Sequence, residues 1–183
     1  MKKALLIIDV QKDYFPGGNC ELWKAEETLE VIGKVLGVFR EREFPVFYIQ
    51  HIASPDAGFF APGTEGVEIH PQIAPRSAET VIVKHYPDGF YKTELQKKLA
   101  EHQVEELAVC GMMTHMCVDT TVRAAMEYGY KVTLVADGCT TKDLTWDGRT
   151  IAAEVVQKTF LASLNGRFAD IVTSKVFDCE KNI

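Results

Sequence analysis

The sequence predicts an α/β fold, in which a parallel sheet of six strands lies between two layers of helices. Short apolar runs alternate with segments of helical periodicity from one end of the chain to the other, as they do in such folds. Residues 4–8 are apolar at every position, which is typical of a parallel strand buried on both faces. The chain shows no repeat, linker or low-complexity segment, so we expect a single domain over residues 1–183.

The remaining elements follow in a regular order. Apolar runs predict the other five strands at residues 45–49, 80–83, 107–110, 131–136 and 171–172. Apolar residues at helical spacing predict helices over 25–40, after Thr93, after Thr114 and over 150–164. Residues 50–78 contain four prolines and three glycines, and a loop of this length is usually functional or mobile.

Composition and charge argue against several classes of function. The net charge of −6 and the lack of a basic stripe disfavour nucleic-acid binding. Met1 and two lysines precede only five apolar residues, too few for a signal-peptide core or a membrane span, so we expect a cytoplasmic protein. The 5 cysteines are odd in number and scattered, which disfavours a disulfide framework or a zinc knot. No glycine-rich phosphate-binding motif is present, so a nucleotide is not expected.

The segment after the fourth predicted strand has the features of a nucleophile site. Gly111 ends the strand, and Thr114 is predicted to cap the following helix. Cys117 then falls in the first helical turn, where free N–H groups and the helix dipole favour a thiolate. The alternative is that Cys117 is a small buried apolar residue, as cysteines often are.

Two further reactive side chains follow predicted strands. Asp9 comes after the first strand and Lys84 after the third, and ligands bind at the carboxyl ends of the strands in such sheets. Each residue alone could be structural, with Asp9 in a turn and Lys84 in solvent. An acid, a base and a sulfur at one edge together predict a catalytic site. His115 is two residues from Cys117, which places it on another side of the helix and weakens a Cys–His pair.

Metal ligands and pocket walls are less clearly indicated. His51 and His70 lie at either end of the long loop and are a weak alternative for a metal site. Neither belongs to an H-x-x-x-H or similar pattern, so no metal is expected. Phe15, Phe90 and Trp146 are candidate walls of a substrate pocket, although aromatic side chains more often belong to the core.

Three segments resemble the isochorismatase-like cysteine hydrolases, a superfamily that includes nicotinamidases, N-carbamoylsarcosine amidases, ureido-acid hydrolases and isochorismatases. They are LLIIDVQKDYFPGG at residues 5–18, VIVKHYPDGFYKTEL at 81–95 and VCGMMTHMCVDTTVRAA at 109–125. The resemblance covers nearly the whole chain in the right order. It implies a Rossmann-like three-layer fold with strand order 3-2-1-4-5-6 and assembly as a homodimer or homotetramer.

The resemblance also implies roles for individual residues. Asp9, Lys84 and Cys117 would form a catalytic triad. The peptide bond between Met112 and Met113 would be cis, and the N–H groups of Met113 and Cys117 would form an oxyanion hole. Lys84 and the helix terminus would lower the pKa of the Cys117 thiol, Asp9 would take its proton, and the thiolate would attack a carbonyl carbon to form a thioester.

Departures from the family's patterns bear on the substrate. Nicotinamidases of this superfamily bind a metal through D-x-H, and residues 49–52 here read IQHI, which argues against that activity and that metal. Isochorismatases that cleave a vinyl ether commonly lack the cysteine. The resemblance therefore favours hydrolysis of an amide, ureide or carbamoyl C–N bond in a small molecule, without a cofactor. Vinyl-ether hydrolysis with Asp9 as general acid, nicotinamidase activity and a non-catalytic oligomeric role are the alternatives.

Overall fold

The computed structural model describes residues 2–179, and a parallel six-stranded sheet forms its centre. Within this range the strands are β1 (Lys3–Ile8), β2 (Val46–His51), β3 (Thr80–Lys84), β4 (Glu106–Met112), β5 (Lys131–Thr140), β6 (Leu144–Trp146), β7 (Arg149–Ile151) and β8 (Asp170–Val172). The large sheet has the order β3-β2-β1-β4-β5-β8, and every neighbouring pair is parallel. Because β6 and β7 pair only with each other, β8 is the sixth strand of the sheet, and the predicted order is confirmed.

Helices cover both faces of this sheet. In chain order they are α1 (Ala25–Glu41), α2 (Leu95–Glu101), α3 (Asp119–Glu127), α4 (Ala153–Leu164) and α5 (Lys175–Cys179). Leu5 and Ile7 of β1 pack in one apolar cluster with α1, whereas Leu6 and Ile8 pack in another with α2 and α3. Successive side chains of a strand point to opposite faces, so a fully apolar strand requires a helical layer on each side. Within residues 2–179, none of the helices combines the length and the apolar character that crossing a membrane requires.

The structure differs from the prediction between β5 and α4. There β6 and β7 form an antiparallel hairpin, whose turn residues Asp147 and Gly148 have φ angles of 48° and 69°. An Asp-Gly pair with positive φ at both positions favours a tight hairpin turn. Thr150 and Ile151 therefore belong to β7, and the helix predicted to begin at residue 150 begins at Ala153.

The parallel strands bring three predicted site residues to one edge of the sheet. Asp9 follows β1 directly, and Lys84 is the last residue of β3. Cys117 lies in a π turn, Thr114–Val118, that separates β4 from α3. Because β3 and β1 are separated by β2, the Lys84 side chain has to cross the end of β2 to reach Asp9.

Candidate active site

The side chains of Asp9, Lys84 and Cys117 meet at the carboxyl edge of the sheet. Lys84 Nζ donates hydrogen bonds to Asp9 Oδ2 at 2.7 Å and to Cys117 Sγ at 3.2 Å. The side chains of the Asp9–Lys84 ion pair are both 0% exposed, and Cys117 is 5% exposed. A buried charge is stable only when it is paired and hydrogen-bonded, and here the carboxylate and the ammonium meet that requirement for each other.

His51 joins this group as a fourth member. It is the last residue of β2 and lies opposite Lys84 in the register of β2 and β3. Its Nδ1 is 2.9 Å from Lys84 Nζ. From the sequence, His51 is predicted only as a weak alternative for a metal ligand. Its position as the last residue of a strand, between the strands of Asp9 and Lys84, is the signal that could have identified it.

The two oxygens of the Asp9 carboxylate have different surroundings. Oδ2 accepts the hydrogen bond from Lys84, whereas Oδ1 is buried and has no hydrogen-bond partner among residues 2–179. One oxygen of Asp9, the Cys117 Sγ and a ring nitrogen of His51 all lie within 4.8 Å of one another. A buried oxygen without a partner is costly unless a substrate or a proton satisfies it. Asp9 is therefore placed to accept a proton.

Burial raises the pKa of the Cys117 thiol well above its ordinary value; the Asp9 carboxylate raises it further, and Lys84 acts in the opposite direction. The prediction that this pKa is lowered is therefore wrong for the protein alone, because loss of water around the sulfur outweighs the ammonium. Burial lowers the pKa of Lys84, but the interactions with Asp9 and Cys117 together outweigh it, so that the pKa is raised overall. The lysine is thus an ammonium, and the sulfur carries its proton until a base removes it.

The backbone around Cys117 also differs in part from the prediction. Thr114 is the first residue of the π turn, and its hydroxyl donates to the Thr140 carbonyl at 3.1 Å, so the prediction that it caps a helix is wrong. Met113 precedes the turn, and its carbonyl accepts hydrogen bonds from the N–H groups of Met116 at 3.0 Å and Val118 at 3.3 Å. Cys117 nevertheless lies in the first turn of helical structure after β4. The peptide bond between Met112 and Met113 is cis.

Gly111 allows β1 and β4 to approach closely where they end. Its φ is 136°, and a Cβ atom at this position would lie 2.1 Å from the Ile8 carbonyl oxygen. A larger residue would clash with the strand that positions Asp9, because backbone atoms cannot move aside as a flexible side chain can. This glycine therefore lets the segment that carries Cys117 lie beside the end of β1.

Asp9, His51 and Cys117 present donor atoms close enough for a metal ion, yet their arrangement does not fit one. The Lys84 ammonium contacts all three side chains, at 2.7, 2.9 and 3.2 Å, and so takes the place that the cation would need. His70, the other weakly predicted ligand, is not part of this group: its ring packs on Phe15 at 4.4 Å between centroids.

The three aromatic residues predicted to line a pocket lie in different environments. Phe15 is 5% exposed and lines a cavity of about 520 Å³ between residues 12–19 and 64–71. Phe90 belongs to the apolar cluster that also contains Cys117, and its ring packs against the exposed Tyr128. Trp146 lies in the hairpin and is 78% exposed, so in the single chain it faces solvent rather than the triad.

Comparison with known proteins agrees with this fold. The isochorismatase domain model matches residues 3–176. The chain is 48% identical to the uncharacterized isochorismatase family protein YddQ of Bacillus subtilis, over 97% of this chain and 99% of that protein. It is 34% identical to a streptothricin hydrolase of Streptomyces noursei, over 92% of this chain and 58% of that enzyme. A crystal structure of an isochorismatase from Pseudomonas putida superposes with a TM-score of 0.90 at 33% identity, covering 95% of this chain and 89% of that one.

Proposed function

This chain belongs to the isochorismatase family of hydrolases, and we propose that it hydrolyses a C–N bond in a small amide, ureide or carbamoyl compound through a thioester on Cys117. One observation supports this proposal most strongly. Asp9 has one oxygen fixed by Lys84 and a second that is buried and has no hydrogen-bond partner among residues 2–179, and one of the two lies within 4.8 Å of the Cys117 sulfur. That arrangement suits a carboxylate that moves a proton between a sulfur and a leaving nitrogen.

In the proposed reaction, Asp9 takes the proton from the Cys117 thiol as the substrate binds. The sulfur attacks the carbonyl carbon, and the carbonyl π electrons move onto the oxygen. The N–H groups of Met113 and Cys117 donate to this oxyanion, and one such donor typically contributes about 2.7–4 kcal/mol. Asp9 then gives its proton to the nitrogen as the C–N bond breaks, and ammonia or an amine leaves.

The second half of the reaction regenerates the thiol. Asp9 accepts a proton from water as the water oxygen attacks the thioester carbon. The C–S bond breaks, the acid or carbamate product leaves, and Asp9 returns the proton to the sulfur. Lys84 keeps its charge throughout, because its role is to hold the carboxylate and to stabilise the developing thiolate. The raised pKa of Cys117 fits this scheme, since the thiol keeps its proton until Asp9 removes it during the attack on the bound substrate.

Vinyl-ether hydrolysis is the second candidate, because a protonated Asp9 could equally serve as a general acid. The buried thiol within reach of both Asp9 and Lys84 favours the first candidate, since vinyl-ether cleavage gives that thiol no role. Nicotinamidase activity is disfavoured, because residues 49–52 read IQHI and lack the D-x-H through which nicotinamidases of this superfamily bind a metal. The relative named streptothricin hydrolase is consistent with hydrolysis, although it is longer than this chain.

The test is a screen of amides, ureides and carbamoyl compounds for released ammonia or amine, with the intact adduct on Cys117 sought by mass spectrometry. We expect a substrate that the wild type turns over, that leaves an acyl group on Cys117, and that Cys117→Ala does not hydrolyse. Cys20→Ala is the matched control, because Cys20 is a free thiol outside this group and should keep the activity. Turnover that survives Cys117→Ala would contradict the thioester, and turnover of a vinyl ether alone would favour the second candidate.

A further inference from the structure

We propose that His51 is a positioning residue of this site: its neutral ring accepts a hydrogen bond from Lys84 and so holds the ammonium against Asp9 and Cys117. The proposal rests on the thiol chemistry proposed above and adds a residue and a pH response to it. It is not a catalytic role, because His51 acts through Lys84.

The geometry around Lys84 shows why the ring matters. An ammonium has three N–H bonds, and Lys84 Nζ has three acceptors: Asp9 Oδ2 at 2.7 Å, His51 Nδ1 at 2.9 Å and Cys117 Sγ at 3.2 Å. All three donors are therefore used, and the direction of each fixes the direction of the others. Without the ring, one N–H of a buried cation would have no partner, which is costly.

The contact with Lys84 also determines the protonation state and the tautomer of His51. Because the ammonium can only donate, Nδ1 has to be the acceptor, and the proton of the neutral ring therefore lies on Nε2. A protonated ring would place a second cation 2.9 Å from Lys84 Nζ and would remove the acceptor. The interaction with Lys84 thus exists only while His51 is neutral.

The backbone of His51 is held by a buried side chain. Gln11 is 0% exposed; its Nε2 donates to the His51 carbonyl at 2.8 Å, and its Oε1 accepts from the His51 N–H at 2.8 Å. The same Nε2 also donates to the Val67 carbonyl at 2.7 Å. This reciprocal pair fixes the end of β2 relative to β1, so that the ring is presented to Lys84 in one position.

The groups that face His51 from the neighbouring elements are Lys84 and His85 at the end of β3, Asp9 after β1 and Cys117 in the π turn. Burial lowers the pKa of His51; Lys84 and His85 lower it further, and Asp9 alone raises it. The ring therefore stays neutral at pH values where a free imidazole begins to take a proton. It loses the bond to Lys84 only as the pH falls through this lowered pKa.

The test follows the rate at which iodoacetamide alkylates Cys117, measured by mass spectrometry from acid to alkaline pH, which requires no knowledge of the substrate. His51→Leu removes the acceptor, whereas the Oδ1 of His51→Asn stands at the same position as Nδ1 and cannot titrate. We expect His51→Leu to slow alkylation at neutral pH by about tenfold, the size of one lost hydrogen bond to a charged group. His51→Asn should restore most of that rate.

The pH profile separates positioning from a merely structural role. In the wild type, the rate at acid pH should fall more steeply than a single protonation allows, because protonation of His51 adds to that of the thiol. In His51→Asn the fall should follow one protonation only. His85→Asn is the control, since His85 is exposed and hydrogen-bonds to the Ile52 carbonyl, and it should keep the steep fall.

The outcomes distinguish this inference from the proposed function. Equal rates and profiles in all variants would overturn the role of His51 while leaving the thiol chemistry intact. A wild type whose Cys117 is not alkylated and that turns over no C–N substrate would overturn both. If His51→Leu does not fold, nitrogen NMR of His51 in the wild type decides: a neutral ring with its proton on Nε2 supports the inference, and any other state at neutral pH rejects it.

Discussion

Two buried aspartates follow β1, and their surroundings suit one to proton transfer and the other to a structural role. Asp13 is 2% exposed, and backbone N–H groups satisfy both of its oxygens: Asn19 donates to Oδ1 at 3.0 Å and Phe60 to Oδ2 at 2.6 Å. Asp9 is 0% exposed, but in the described part of the chain only its Oδ2 has a hydrogen-bond partner. Burial alone therefore does not indicate a functional carboxylate; a stronger indication is a buried carboxylate that has an unsatisfied oxygen and lies in a group with a thiol.

The two carboxylates also differ in what encloses them. Asp13 holds together the loop that contains Asn19 and the loop that contains Phe60, and a Cβ atom on Gly66 would lie 2.2 Å from its Cγ. Asp9 instead lies among side chains that carry charge or can lose a proton. We infer that Asp13 stabilises the loops around the site, whereas Asp9 works inside it.

The substitution Asp9→Asn is the strongest test of the difference between the two aspartates. The amide keeps the shape of the side chain but cannot take a proton from Cys117, so turnover should fall on the order of 10³-fold, as is typical of losing a positioned proton-transfer group. The measurement is kcat/KM with a substrate found in the screen. A variant within tenfold of the wild type would show that the free oxygen of Asp9 does not act as the base.

Much of this architecture could be predicted from the sequence, because it depends on patterns that neighbouring residues carry. The fully apolar first strand indicates helical layers on both faces, and the polar residues that follow strands indicate an edge where Asp9, Lys84 and Cys117 meet. The strand order came from the resemblance to a known superfamily and is confirmed. The Met112–Met113 bond is cis in the structure, as the same resemblance implied.

What could not be predicted depends on neighbours that are distant in sequence. His51 looks like an isolated loop histidine until the register of β2 and β3 places it opposite Lys84. The pKa of Cys117 is raised because the sulfur is buried, and burial depends on the whole fold. The hairpin was missed because β6 and β7 are only three residues long, and because Thr150 and Ile151 of β7 also fit the start of the predicted helix.

The substitution Asp13→Asn tests the structural role of the second aspartate. An amide has one oxygen and one NH2 group, so the N–H of Asn19 or of Phe60 would face a donor instead of an acceptor. Leaving one buried N–H unsatisfied should lower the free energy of unfolding by about 1–3 kcal/mol, measured by urea denaturation. Turnover should fall far less than in Asp9→Asn. If Asp13→Asn unfolds like the wild type but loses turnover, the assignment of the two aspartates is reversed.

A third aspartate, Asp119, should show the smallest effect of the three when it is substituted. Asp119 forms an (i, i+4) ion pair with Arg123, with the two side chains 14% and 33% exposed and the closest contact at 2.9 Å. Water screens such a pair, so Asp119→Asn should lower the free energy of unfolding by only about 0.3–0.5 kcal/mol, and added salt should lessen the difference. Urea denaturation at low and high salt measures both effects. If Asp119→Asn lowered the free energy of unfolding as much as Asp13→Asn does, with no dependence on salt, backbone contacts to Asp119 would matter more than its charge. The exposure of these three carboxylates would then not predict the effects of substituting them.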